Sequence, residues 1–166
     1  MPKRKDDFIM FDEREVEQFI RDLDKLPDDI LNYILQYYTD YGMLVEEGAK
    51  ALVHHDEGTL EDSINFEEAK LEGKEVSVEG GTNLVYAMRR HEEPPRAGSH
   101  PKYSRGAKFP AYYQDGRGLK TRQKPNWRGK TPGRKFLENA IEATEEDYNK
   151  MVKEIADKAL KGIGGE

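Results

Sequence analysis

The sequence predicts an α+β fold in which long N-terminal helices and a C-terminal helix pack on a small antiparallel sheet, with a basic extended loop or hairpin arm. Three observations lead there. Apolar residues recur at helical spacing towards both ends of the chain, the period shortens to two between about 62 and 90, and no strands and helices alternate in the βαβ manner of a parallel sheet. The 166 residues suit one domain, divided into a flexible N-terminus (1–11), helices and sheet (12–92), a basic arm (93–130) and a C-terminal helix (131–161).

Asp12 with Glu15 reads as a capping box, and Val16, Phe19, Ile20 and Leu23 follow on one face, so a first helix is expected over about 12–25. Pro27 interrupts it and suits the first turn of a second helix, whose positive end Asp28 and Asp29 favour. Ile30, Leu31, Ile34, Leu35, Tyr38, Tyr41, Val45, Ala49 and Leu52 continue that helix to about 53 as a core face. Ser63–Phe66 and Val76–Val78 alternate as strands about a Glu72-Gly73 turn, and Asn83–Met88 reads as a third strand after Gly80-Gly81. Ala111–Tyr113 and Leu119–Thr121, flanking Asp115-Gly116, give a fourth and fifth. Thr131 as cap and Pro132 in the first turn open a terminal helix with Phe136, Leu137, Ala140, Ile141, Tyr148, Met151, Val152, Ile155 and Leu160 in one stripe and Gly162 as its stop.

Composition narrows the function. Hydrophobic and charged residues each make up 36%, with a mean hydropathy of -0.95, so the core is modest. Without cysteine there is no disulfide framework, thiolate nucleophile or cysteine zinc site. No apolar run approaches a membrane span or a secretory signal, and the chain is expected to be soluble. Net charge is -6, but it is segregated: Arg89–Lys135 holds fourteen Lys or Arg against three acids, net +11, and the rest thirteen against thirty, net -17. That segment also interleaves Tyr103, Phe109, Tyr112, Tyr113 and Trp127 with its cations, as a surface meeting phosphates or an acidic protein face would. The cations expected to contact partners or DNA are Arg89, Arg90, Arg105, Lys108, Arg117, Lys120, Arg122, Lys124, Arg128 and Lys130. His54-His55-Asp56-Glu57 lacks the i, i+4 spacing that lets two imidazoles share an ion. His91, Glu92 and His100 have no nucleophile or oxyanion donor in view, so no catalytic residue, metal or cofactor is expected.

Three blocks resemble one family. Gly58-Thr59-Leu60-Glu61-Asp62-Ser63-Ile64 is similar to a G-x-L-x-x-S-I block, Asn83–Ala87 running on to His91-Glu92 to a Y-A block ending in H-E, and Pro132–Ala140 to a P-x-x-F-L-x-x-A helix opening. All three occur in the neck, tail-completion and minor structural proteins of long-tailed bacteriophages. The resemblance implies a non-enzymatic virion protein, made in the host cytoplasm, that forms a homo-oligomeric ring, commonly sixfold. Its implied neighbours are the head connector or adaptor and the tail terminator or tube, with non-specific contact to passing genomic DNA and none to a membrane. Gly58, Leu60, Ser63, Tyr86, Ala87, His91, Glu92, Phe136, Leu137 and Ala140 then carry structural roles, with Tyr86 and Phe136 packed between sheet and helices. Read without the resemblance, the basic hairpin also suits a small nucleic-acid-binding or regulatory protein.

Overall fold

The computed structural model describes residues 28–73, 75–92 and 117–163. The flexible N-terminus, the expected helix over 12–25, the strand over 111–113, the Asp115-Gly116 turn, and Arg105 and Lys108 lie outside them. Helix α1 spans Asp28–Leu52 and α2 Thr59–Ser63; the strands are β1 Asn65–Phe66, β2 Lys70–Glu72, β3 Glu75–Ser77 and β4 Gly80–Gly81; α3 Ala87–Glu92, α4 Leu119–Gln123, α5 Phe136–Ala143 and α6 Glu145–Ile163 complete the order.

Helix α1 forms where the apolar stripe and its acidic first turn predict. It buries Ile30, Ile34, Val45, Ala49 and Leu52 and exposes the opposite face. Two glycines inside it are also buried. At Gly48 a Cβ would sit 2.6 Å from the ring carbons of Trp127 and 3.1 Å from the Ala140 methyl, so the glycine lets the indole and α5 approach the helix backbone.

The strands form one long hairpin in two ladders. β2 pairs with β3 (Leu71 opposite Val76) around Gly73, which has a φ of 63°, as the Glu72-Gly73 turn signal predicts. Outside it β1 pairs with β4, Phe66 opposite Gly80. Between the ladders, residues 67–69 face only 78–79, and the Glu67 N–H still donates to the Glu79 carbonyl at 2.8 Å. That extra residue is a bulge, so the ribbon bends while Phe66 covers Gly80.

The structure corrects four expectations. Ser63 ends α2 instead of opening a strand, because Gly58 (φ 93°) starts a helical turn whose first carbonyl accepts the Asp62 N–H at 2.9 Å. Asn83–Met88 is a turn and the start of α3: the Thr82 hydroxyl accepts the Leu84 N–H at 3.2 Å, a local turn bond that competes with strand pairing. Leu119–Thr121 belongs to α4, with the Arg122 N–H bonded to the Gly118 carbonyl at 3.0 Å. The terminal helix opens at Phe136 with Lys135 at its cap position, not at Thr131 and Pro132, and it breaks in two at Thr144, which is fully buried and whose hydroxyl is 3.0 Å from the Ala140 carbonyl and 3.2 Å from the Tyr41 hydroxyl. Its second half also runs to Ile163, past Gly162.

Helix-on-helix packing, more than packing on the sheet, makes the core. α1 meets α5 most extensively and α6 next, the two running antiparallel along it. Val45, Ala49, Leu52, Val53, Leu60, Ile64, Ala87, Phe136 and Ala140 form one cluster at the C-terminal half of α1; Ile30, Ile34, Met151, Ile155 and Ala159 form a second at its N-terminal half. Tyr41 packs against both.

Candidate functional site

The three sequence blocks meet in the first cluster. Leu60 and Ile64 come from the first block, Ala87 from the second, Phe136 and Ala140 from the third, with Leu137 half-buried beside them. Ser63 closes the first block by donating to the Leu60 carbonyl at 2.8 Å, and its hydroxyl lies 2.6 Å from that of Thr82. Phe136 is buried, at 1% exposure, whereas Tyr86, expected to pack between sheet and helices, is 42% exposed beside an almost wholly exposed Val85. Ala87 at the start of the short α3 turns inward, and Tyr86 just before it faces out.

His91 and Glu92 fasten α3 to the start of α5. The His91 ring stands edge-on to Phe136 with centroids 4.9 Å apart, and its carbonyl accepts the Lys135 N–H at 3.0 Å. Lys135 adopts a left-handed backbone (φ 59°), unusual for a residue with a Cβ, and is held there by ion pairs to Glu92 at 2.9 Å and Glu138 at 2.8 Å. Hydrogen bonds from Lys135 and then His91 hold the Glu92 carboxyl below the usual carboxylate range.

From residue 117 on, the described part of the basic segment turns largely towards the protein itself. Helix α1 ends with carbonyls that have no partner in the helix. Lys124 Nζ donates to two of the carbonyls here, Lys50 at 2.6 Å and Val53 at 3.2 Å, and to Glu61 Oε2 at 3.0 Å; the Gly133 N–H donates to the Leu52 carbonyl at 2.7 Å. A cation at the negative end of the helix dipole adds to this. The Thr121 hydroxyl accepts the His55 N–H at 2.9 Å and donates to the His55 carbonyl at 3.2 Å, while Lys120 donates to the Asp56 carbonyl. Arg128 and Gly129, both with positive φ, make a tight turn between Trp127 and Lys130, and Arg128 pairs with Asp147 and Lys130 with Glu142. Arg117 is half-buried alongside Gly133; Arg89 and Arg122 are exposed and Arg90 half-buried. The structure thus brings Lys120, Lys124, Arg128 and Lys130 onto the helical body and sets Arg89 and Arg90 apart on α3. The Lys124 latch has no short-range sequence signal, since its partners lie more than sixty residues away. The glycine inside α1 is the one local hint that a bulky group, here Trp127, docks nearby.

Glu61 is the acid of this latch. Burial opposes its charge, but hydrogen bonds from His55 and Lys124, with their charges, outweigh it and keep the carboxyl below the ordinary range. A lowered folded-state pKa contributes stability that is complete above the unfolded value of about 4.3 and is lost as the pH falls through the folded one. Glu61→Gln is therefore expected to cost about 1 to 2 kcal/mol at pH 7 and progressively less below about pH 4, where the wild-type carboxyl also becomes neutral. Urea midpoints of the two proteins between pH 7 and pH 3 check this; a gap independent of pH would show that the charge does not matter.

Among the described residues no group of three or more His, Asp or Glu is placed to hold a metal ion, and no helix is long and apolar enough to cross a membrane. The site is a packed junction of conjoined segments with charge at its rim. Comparison with protein-family models matches residues 17–88 to the family described as "Bacteriophage HK97-gp10, putative tail-component". The match covers less than half of the 166 residues and shows what this segment is similar to. The HK97-gp10-like segment takes in α1, α2, the whole hairpin and the turn into α3, so it contains the first block and the Tyr86-Ala87 pair of the second. It stops before His91 and before the third block, whose Phe136 completes the cluster that the HK97-gp10-like segment begins. This agrees with the resemblance to phage neck and tail-completion proteins. No curated protein and no solved structure matches the chain.

Proposed function

We propose that the chain is a non-enzymatic structural subunit of a phage particle, one that forms a ring at the head-tail junction, joins connector to tail tube and lets DNA pass. The observation that carries this reading is the tail-component match over residues 17–88, whose buried positions from Val45 to Ala87 belong to the cluster closed by Phe136. The segregated charge supports it, because a subunit in a head-to-tail ring needs two different, complementary faces. Arg89 and Arg122 are exposed among the described residues, where neighbours or passing phosphates could meet them. Lys124, Arg128 and Lys130 already face carboxylates of their own chain, which weakens the alternative of a basic hairpin that reads nucleic acid.

Depleting the protein during particle assembly is expected to leave DNA-filled heads and finished tails unjoined in electron micrographs, with re-supply restoring them. The wild-type chain should bind DNA weakly, without sequence preference and with strong salt dependence. Normal joined particles after depletion, or a specific DNA site bound in the ~10⁻⁸ to 10⁻¹¹ M range at physiological salt, would instead indicate a reader of nucleic acid.

A further inference from the structure

The two sides of the seam between α1 and α6 differ. On one side the Tyr33 and Tyr37 rings pack 4.3 Å apart, Lys158 Nζ lies 3.1 Å from the centre of the Tyr33 ring, and Tyr37 faces Glu154. That side is closed by polar and aromatic contacts. On the other, Leu31, Leu35 and Tyr38 recur at i, i+4 and i+7 along α1 and are half-buried. Tyr38 hydrogen-bonds with Tyr148 across the seam, and Tyr148 and Val152, one turn apart on α6, are 38% and 40% exposed. This second side is an apolar face contributed by two helices.

The chain just before α1 carries a stripe to match. Val16, Phe19, Ile20 and Leu23 share one side of the helix expected over 12–25, and Arg14, Gln18, Arg21 and Lys25 recur on the opposite side. Pro27 stops that helix and opens α1, so the two are joined by a turn of about two residues, the connection of an antiparallel helical hairpin. Each helix then rises about 1.5 Å per residue in opposite directions, and residues equally far from the turn come level. Val16, Phe19 and Leu23 lie eleven, eight and four positions before Pro27; Tyr38, Leu35 and Leu31 lie eleven, eight and four after it. The tail-component match also begins at residue 17, so it takes in most of this stripe together with α1.

We propose that residues 12–25 form a helix that folds back antiparallel on α1 and covers this face, with Leu23 level with Leu31, Phe19 with Leu35, Val16 with Tyr38, and Val152 at the rim. A helix of this length is marginal alone in water, so burial of its stripe is what orders it. The direct tether at Asp28 gives it a high local concentration, which favours its own chain over a second copy as the occupant.

The chain lacks cysteine, so introduced thiols report the contact without background. Full-length Val16→Cys/Tyr38→Cys, treated with a short bis-maleimide, is expected to give an internal cross-link in about five times the yield of Gln18→Cys/Tyr38→Cys, independent of protein concentration. Adding Phe19→Asp and Leu23→Asp to the first pair should cut its yield about fivefold. Equal yields from positions 16 and 18, or a yield that survives the two aspartates, would mean tethered proximity without a fixed face. Links between chains that grow with concentration would assign the face to a second copy. Either result overturns the proposal. Because Tyr38→Cys removes a packed ring, hydrogen exchange of the unaltered full-length chain is the second measurement: amides 17–24 should exchange about a hundredfold more slowly than those of an unstructured peptide. Exchange at unstructured rates would overturn the docked helix whatever the variants do.

Discussion

Replacing Phe136 by Ala is expected to lower the unfolding free energy by about 3 to 5 kcal/mol, because the ring is 1% exposed among nine mutually packed residues and its loss forfeits both transfer energy and contacts. The cavity would open where the three sequence blocks meet. His91 would lose the ring that its imidazole edge rests against, 4.9 Å away, and the tie between α3 and α5 would loosen with it. Tyr86→Ala supplies the contrast, since a side chain 42% exposed should cost no more than about 1 kcal/mol. Urea melts with unchanged slopes and unequal midpoint shifts are the expected pattern. Similar losses for the two variants would mean that Tyr86 packs in the core after all.

Lys124→Met is expected to cost about 2 to 3 kcal/mol although it removes a formal surface-type residue. The side chain is 15% exposed, and its ammonium makes three hydrogen bonds, two to carbonyls near the end of α1 and one to Glu61. The methionine stem fills the same channel but leaves those acceptors without their donor. Lys124→Glu should cost more, because it sets a second carboxylate against Glu61. The exposed Lys153→Glu, an equal change of charge, should stay within about 0.5 kcal/mol. Thermal or urea unfolding of the three variants decides the matter, and equal effects at 124 and 153 would remove the latch. A practical point follows for charge-reversal experiments on the basic segment: any set that includes Lys124 confounds lost assembly with lost folding.

Legibility in the sequence followed the range of the interactions. α1 was readable because its core is a stripe of its own residues, and the Gly73 turn because its φ of 63° is a local demand that glycine meets. Asn83–Met88 was misread because β-branched and apolar residues signal a strand only when they face a core, and Val85 faces solvent. The break at Thr144 was hidden because a threonine inside an apolar stripe looks like a tolerated helix residue. Its role depends on a buried hydroxyl that meets Tyr41, 103 positions away in the chain. The cations of 117–135 were visible as charge but not as structure, since no spacing rule predicts that Lys124 reaches back to Lys50 and Val53. Block residues Leu60, Ala87, Phe136 and Ala140 did converge as their apolar character suggested, whereas Tyr86 did not.

The division of the core into two clusters bears on how the protein opens. α5 is sewn into the cluster that also holds Leu60, Ile64 and Ala87, while among the described residues α6 buries Met151, Ile155 and Ala159 against the first turns of α1. Between them the helix is interrupted at Thr144, and Tyr41 is the side chain that both clusters share. Stability need not be uniform across such a molecule. The Met151–Ala159 half is expected to open while the Phe136 half stays closed, and hydrogen exchange should then show its amides opening at a lower free energy than global unfolding. A neighbour that gripped α6 would then be pulling on the more yielding half of the subunit, and the half that carries the three blocks would keep its shape.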